Sequence, residues 1–570
     1  ALSVARADLP YKPSKLNDKD AIVYLASDGV TELARVYPTE GVRRALRPDL
    51  IPENLKNSLV AAEDASFWDN PGFDPKRILA AALGHLKGDA STITQQYIKN
   101  TLVGDEVSLT RKWHEVLSAT KLSSAWTKDE IISAYLNTVY FGRGAIGVEN
   151  AAQAYFGISA TQLNDAQAAM LAGVIQSPSV HDPAVNEQSA HDRFDYVVSR
   201  LKTLKMIDEH ENLEFPETIP PKPRDVSTGI FGPNGHIVAM ANAELERAGI
   251  LQDQLYTMGA KVVTTIDPGV QDAVVNNADP AAQANGVRIG ATAIDPKTGG
   301  IRGIFGGSDG QGFNYANQPQ MTGSTFKVFT LAAGLEQGIG LDTVISSAPY
   351  WADGIELGNS GGMTCGECSI AEATKQSLNT SFYRLQDMLR SGAMDTREMA
   401  HRLGVTDPLE DKDGFVARSI TLGSYPTSMT GMANAMATIA DNGVRNDAHI
   451  VQKVVTKHGS DAYRAPKTAK RVLDARITND IDRALEPIPA YSNGNSLGGG
   501  KVGYGKTGTT QLGDTGNNRD ALMVGYTDNL ALAVWVGTDD GSPLTDGYGA
   551  AIWGAGLPAT LWKNILTQVG

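Results

Sequence analysis

Ser324 stands three residues before Lys327 in the run "MTGSTFKVFTLAAGLEQG" (Met321 to Gly338), directly after a glycine and ahead of an apolar stretch of helical rhythm. Residues at i and i+3 share a helix face, so the Lys327 amine can lie beside the Ser324 hydroxyl. A lysine removed from water and crowded by a second cation has a lowered pKa and can accept a serine proton. A serine at a helix start also leaves its own N–H outside the helical ladder, where it can serve as half of an oxyanion hole. A capped helix with an exposed lysine gives the same local sequence, and this segment alone does not separate the two. Two more short elements follow in order: "QSLNTSF", with Ser377-Leu378-Asn379, and "GKTGTT", with Lys506-Thr507-Gly508-Thr509.

The elements that must position these residues change character along the chain. From about Asp20 to Leu204, "ENLKNSLVAAED", "DPKRILAAALGHL", "SLTRKWHEVLSATKLSSAW", "KDEIISAYLNTVY" and "LNDAQAAMLAGVI" carry apolar residues at three- and four-residue spacing, which predicts helices. The proline-dense "EFPETIPPKPRDV" (Glu214 to Val226) reads as linker. From about Val262, "AKVVTTID" and "VRIGATAIDPKTGGIRGIFGG" are β-branched, with a turn at "DPKTGG", and predict hairpin strands. Helical patterns fill the middle, and strands return at "ALMVGYTDNLALAVWVGTDD" (Ala521 to Asp540). That order predicts an α/β domain whose sheet is assembled from both ends of its segment. The expected division is 20–205, a linker region 206–284, and 285–570.

The composition narrows the function. With 570 residues, 42% hydrophobic and 20% charged, the chain can bury two or three ordinary cores. A net charge of -14 supplies no basic footprint for nucleic acid. Apolar runs such as "AAMLAGVI" fall far short of the roughly 18 to 20 residues that span a bilayer. The stretch "GKVGYGKT" (Gly500 to Thr507) fits a phosphate-loop pattern, yet glycine-rich turns flank it instead of a strand and a helix. Cys365 and Cys368, in "TCGEC", read as a local disulfide, with two free thiols in a loop as the alternative. No His/Cys cluster supplies the other ligands of a zinc site.

Taken together and in order, Ser324-x-x-Lys327, Ser377-x-Asn379 and Lys506-Thr507-Gly508 resemble the acyl-transfer set of penicillin-binding proteins and β-lactamases. The resemblance makes Ser324 the nucleophile, Lys327 its base and Ser377 a proton relay. It makes Asn379 an orienting amide and Lys506 the charge that meets a substrate carboxylate. Thr507, Gly508 and Thr509 become a strand edge on which a peptide can lie. "GKTGTTQLGDTGNNRDALMVGYT" and "ITLGSYPTSMTGMANAMATIADNGV" resemble further parts of that family's domain. Leu378 stands where many β-lactamases carry aspartate, which favours a penicillin-binding protein over a secreted β-lactamase with an extra domain.

Upstream, "AAEDASFWDNPGFDPKRILAAALGHL", "STITQQYIKN", "RKWHE" and "AYLNTVYFGRGAIGVENAAQAYFG" stand in the order of the peptidoglycan glycosyltransferase domain of class A penicillin-binding proteins. "CGECSIAEATKQSLNTSFYRL" resembles the mycobacterial and corynebacterial members of that family most. The implied fold is a mainly α, lysozyme-like glycosyltransferase domain followed by an α/β transpeptidase domain with an antiparallel sheet and helices. Glu63 matches the general base and Glu115 the second carboxylate. Gln95, Lys99, Arg111 and Lys112 match substrate positions, the last three on diphosphate. From Glu63 to Arg143 nine Lys/Arg face ten Asp/Glu, so any grip on diphosphate comes from local placement rather than a general field. No cofactor is obligatory in the family; a divalent cation such as Mg2+ is an optional assistant.

Two departures stand out. Asn70 replaces the histidine usual in "F-x-x-H-x-G", so this position is not expected to supply an essential proton. "LKGDASTITQQ" is also shorter than the family's glycine-rich approach. The resemblance implies lipid II and nascent glycan strands, D-Ala-D-Ala stem peptides, β-lactams, a membrane surface and elongation or division proteins as partners. It places the protein on the outer face of the cell membrane, tethered by an N-terminal helix outside this sequence. Trp68 and "ILAAALGHL" are candidates for contact with lipid, or else core. A scaffold with a degenerate site is the competing reading.

Overall fold

The computed structural model describes residues 19–38, 44–75, 91–99, 109–221, 232–352 and 354–570, with side chains from Glu115 onward in the helix that starts at Leu109. The chain forms two compact units.

The first unit, built mainly from residues 36–228, is helical. Its helices are α1 (Glu53–Glu63), α2 (Ile93–Ile98), α3 (Leu109–Ala125), α4 (Lys128–Thr138), α5 (Val148–Phe156), α6 (Asp165–Val174) and α7 (Glu187–Thr203). Thr92, Thr127 and Asn164 cap α2, α4 and α6, each in a reciprocal box with the Gln or Glu at the third helical position. Leu55, Leu59, Leu136, Leu171, Phe194 and Val197 meet in one core. Helix α6 is buried along nearly its whole length, as its run of Ala, Met, Leu and Val requires. The helix expected at "DPKRILAAALGHL" and the short approach before Ser91 lie outside the described residues.

In the second unit, β4 (Arg288–Ile294), β5 (Ile301–Phe305), β8 (Tyr504–Gln511), β9 (Asn518–Tyr526) and β10 (Ala531–Gly537) form an antiparallel sheet. Its order is β8-β9-β10-β4-β5. The sheet is therefore built from both ends of the segment, as expected. Period-two alternation gives it two apolar faces: Ile289, Ala291 and Ala293 point at the helices α9 (Pro268–Asn285) and α16 (Leu557–Val569). The other face takes the methionine-rich α14 (Met429–Ala440), where Thr430 meets Thr292. Among the described helices between sheet halves, α10 (Lys327–Glu336) and α12 (Asn379–Met388) begin with Lys327 and Asn379, and Ser377 lies between α11 (Ile370–Lys375) and α12.

The domain division differs from the expected one at two places. Residues 23–35 belong to the second unit, where β1 (Ile22–Leu25) runs parallel to β3 (Lys261–Thr264) in a separate five-stranded sheet with β2 (Glu32–Val36), β6 (Val451–Val455) and β7 (Asp461–Arg464). The region 206–284 is not linker throughout, because it holds β3, α9 and α8 (Asn234–Arg247). "AKVVTTID" is a strand as predicted, but of this second sheet, while β4 and β5 alone make the hairpin. Even the proline-rich stretch is partly docked: Phe215 stacks on His191, and Ile219 N donates to the Tyr155 carbonyl. Residues 222–231 are not described.

Candidate active sites

In the second unit the turn Gly323–Phe326 runs straight into α10, so Ser324 sits at the mouth of a helix and Lys327 opens it. Gly323 adopts a φ of 54°, and a Cβ there would meet the Thr509 backbone at 2.9 Å. Glycine is what allows the serine turn to lie this close to β8. Gly508 makes the reciprocal fit: a side chain would strike the Thr322 carbonyl at 2.5 Å. Short side chains in "TGS" and "KTG" thus clamp the nucleophile turn against the edge strand of the sheet.

The Lys327 side-chain nitrogen is the hub. It donates to Ser324 Oγ at 2.9 Å, to Asn379 Oδ1 at 2.7 Å and to the Ser377 carbonyl at 2.7 Å, with Ser377 Oγ at 3.2 Å. Lys506 Nζ lies on the far side of the same hydroxyl, 2.8 Å from Ser377 Oγ, and also donates to the Thr507 carbonyl. Both lysines are fully buried. Burial holds Lys327 well below an ordinary lysine, and the nearby Lys506 charge pushes it further down. Burial alone brings Lys506 down to about 7. Ser377 reaches between them from a φ of 57°, a left-handed conformation that costs a non-glycine residue free energy and occurs where the surroundings fix it. Thr509 Oγ1 accepts from Gly554 N, which ties the end of the strand to the following loop. Every second-domain residue singled out in the sequence, Ser324, Lys327, Ser377, Asn379, Lys506, Thr507, Gly508 and Thr509, converges here. Tyr504 to Gln511 is continuous strand, so the phosphate-loop pattern there has no helix N-terminus to serve.

In the first unit two consecutive glutamines on α2 take one carboxylate each. Gln96 Nε2 donates to Glu63 Oε2 at 3.1 Å, and Gln95 Nε2 donates to Glu115 Oε1 at 3.2 Å. Neighbouring helical positions point about 100° apart, so one short helix can hold the two acids in different directions. Glu63 ends α1, and its other oxygen binds Arg193 at 2.9 Å. Tyr135 OH donates to the Gln96 side-chain oxygen Oε1 at 2.7 Å. Glu115 is buried on α3, and Gln95 is also the capping-box partner of Thr92. Lys99 follows at the end of α2, half-buried. Arg111 and Lys112 lie on the first turn of α3, and their side chains are outside the described residues.

Asn70 is part of the scaffold. Its amide donates to both Asp64 oxygens and its carbonyls receive Lys128 Nζ, an arrangement that needs no titrating group. Sequence reading missed Arg193, Gln96 and Tyr135. Arg193 lies 130 residues from Glu63 in an ordinary amphipathic helix, and the only local signal is an arginine on its half-buried side. Trp68 is 37% exposed and so is not core. Cys365 and Cys368 form a disulfide.

Known proteins match both units. Residues 30–202 match the transglycosylase family and residues 289–555 the penicillin-binding protein transpeptidase domain. The chain is 42% identical to penicillin-binding protein 1A of Mycolicibacterium smegmatis across 98% of its length and 74% of that protein. It is 41% identical to penicillin-binding protein 1A of Mycobacterium tuberculosis, across 98% of its length and 71% of the relative. A solved structure of the PonA1 protein from Mycobacterium tuberculosis in complex with penicillin V covers 59% of this chain and 93% of its own, with 42% identity and a TM-score of 0.58. Penicillin-binding protein 1A from Haemophilus influenzae covers 97% of this chain and 92% of its own at a TM-score of 0.66 and 18% identity, a likeness of fold. The chain belongs to the bifunctional class A penicillin-binding proteins, enzymes that join a peptidoglycan glycosyltransferase to a D-Ala-D-Ala transpeptidase.

Proposed function

We propose that Ser324 carries the acyl group in crosslinking and that Glu63 is the base in glycan polymerisation. The observation behind the first assignment is the buried Lys327 amine bonded to Ser324 Oγ. Neutral Lys327 takes the hydroxyl proton as Ser324 Oγ attacks the carbonyl of the penultimate D-alanine. The C–N bond breaks, and the terminal D-alanine leaves with a proton relayed through Ser377. A neighbouring stem-peptide amine then attacks the ester, restores Ser324 and completes the crosslink. Charged Lys506 and the hydroxyls of Thr507 and Thr509 receive the substrate carboxylate, while the β8 edge and Asn379 align its backbone. A β-lactam presents a strained amide to the same hydroxyl and stops at the ester, in keeping with the penicillin V complex of the mycobacterial relative. If Ser324→Ala still bound penicillin covalently, the nucleophile would be elsewhere.

In the first unit, Glu63 removes the proton of an acceptor sugar hydroxyl as the lipid diphosphate departs from the donor. Gln96 and Arg193 each hold one of the Glu63 carboxylate oxygens, which orients the group for that proton transfer. Single displacement of an α-linked diphosphate gives a β-linked glycan, with Glu115 on the donor side and Lys99, Arg111 and Lys112 as the diphosphate contacts. Among the described residues no group of three or more His, Cys, Asp or Glu is disposed to hold a metal ion, and no step here passes through one. Lipid II is presented outside the cytoplasmic membrane, which argues for an extracytoplasmic enzyme tethered at its N-terminus. Among the described residues no helix is long and apolar enough to cross a membrane. Partner proteins of an elongation or division complex belong to the same expectation. Polymer formation from lipid II by the wild-type chain and its failure in Glu63→Gln test the glycosyltransferase assignment.

A further inference from the structure

Asn379 is the first residue of α12, and nothing in its own side chain fixes where that helix begins: the preceding Leu378 cannot cap it. The acceptor for the first turn comes from another segment. Asn359 Oδ1 accepts from Thr380 N at 3.0 Å, in the place an N-cap oxygen would take. The same side chain donates through Nδ2 to the Ser347 carbonyl at 3.1 Å and the Met363 carbonyl at 2.9 Å, with Thr380 Oγ1 also 3.1 Å from that nitrogen. Thr380 Oγ1 in turn donates to the Ser347 carbonyl at 3.0 Å. One amide therefore joins three pieces of chain at the start of the helix.

The loop that presents Asn359 is fastened to the same point. Ser347 Oγ pairs with Thr364 Oγ1 and receives Cys365 N, and Ser347 N and Oγ both donate to the Gly366 carbonyl. Cys365 is bonded to Cys368, which sits in the strand Glu367–Ser369 opposite Ile345. Ser369 then caps α11, the helix that leads to Ser377. At its near end the loop touches the centre directly, since Asn379 Nδ2 donates to the Gly358 carbonyl at 3.4 Å.

We infer that Asn359 is a positioning residue for acyl transfer: it sets the start of α12 so that Asn379 Oδ1 meets Lys327, and the Cys365–Cys368 disulfide holds the loop that presents it. The inference rests on the assignment of Ser324, Lys327 and Asn379 to acyl transfer. Removing the Asn359 amide frees Thr380 N and lets Asn379 swing from Lys327, while Ser324, Lys327 and Lys506 keep their own supports. Misplacement of an orienting group acts on the chemical step more than on encounter.

The test is stopped-flow acylation of the whole chain by a chromogenic β-lactam, separating the acylation rate constant from the pre-covalent dissociation constant. Asn359→Ala is expected to slow acylation about tenfold with a dissociation constant within about twofold of wild type. The acidic limb of its pH profile is expected to move to lower pH. Loss of the Asn379 acceptor weakens the ammonium form of Lys327, whose charged neighbour is Lys506. Cys365→Ser/Cys368→Ser is expected to change the same quantities in the same direction by a smaller factor. Lipid II polymerisation by both variants stays at the wild-type rate. An Asn359→Ala enzyme with wild-type acylation and pH profile overturns the inference, as does one that loses fold and polymerisation instead of slowing. Ser324→Ala measured alongside separates the two levels: if it still acylates, the acyl-transfer assignment has failed, whatever Asn359 does.

Discussion

The two sites solve opposite electrostatic problems. In the transpeptidase unit two lysines are buried side by side, and among the described residues their hydrogen-bond partners are hydroxyls and carbonyls, with no carboxylate. Burial, and then the Lys506 charge, hold Lys327 well below an ordinary lysine, which suits it to the base role proposed for it. In the glycosyltransferase unit the two carboxylates proposed to react are each held by a neutral amide from α2, with Arg193 on one of them. A buried cation becomes reactive when it is denied a counter-charge. A carboxylate that is to deprotonate a sugar is oriented by donors. The first device depends on excluded water, the second on the placement of one short helix.

That contrast can be broken from either side. Glu63→Gln is expected to reduce lipid II polymerisation about 10³-fold while penicillin acylation stays at wild-type rate, read by glycan product and by adduct formation on the same preparation. Gly508→Ala places a methyl against the Thr322 carbonyl, so β8 and the serine turn must separate. Acylation should fall more than about tenfold, and the melting temperature of the second unit should drop by an amount reflecting about 1–3 kcal/mol. Gln96→Ala removes the link from Tyr135 to Glu63. Polymerisation should fall about tenfold, with acylation untouched.

The smallest change is the most diagnostic of the lysine pair. Acylation by the free enzyme is expected to follow a bell-shaped pH profile. Protonation of Lys327 removes the base on the acid side. Loss of charge from Lys506, held at about 7, removes the carboxylate's partner on the alkaline side. Lys506→Arg keeps its charge at every accessible pH, so its alkaline limb should move to higher pH. An unchanged limb would show that Lys506 does not control it.

Legibility in the sequence followed the same divide. Ser324, Lys327 and Lys506 were readable because their partners sit in short motifs whose glycines and small hydroxyls admit few other uses. The central sheet was readable from β-branched runs at both ends of the segment. Arg193 and Tyr135 were hidden, because each occupies a regular helical position whose role appears only when α7, α4 and α2 meet. Residues 23–35 gave no local sign that they would join a sheet with β3, since strand pairing across more than 200 residues leaves no trace in either strand. Asn359 was hidden for a related reason: in a glycine-rich loop its amide reads as a turn residue, and only Thr380 N gives it another function.

The residue that takes the acyl group is the centre of this chemistry. Peptide mass spectrometry after incubation of the whole chain with penicillin should find one adduct, on the peptide containing Ser324, stable over hours and lost in Ser324→Ala with lipid II polymerisation intact. An adduct on any other residue, or one that persists in the variant, would contradict the Ser324 assignment.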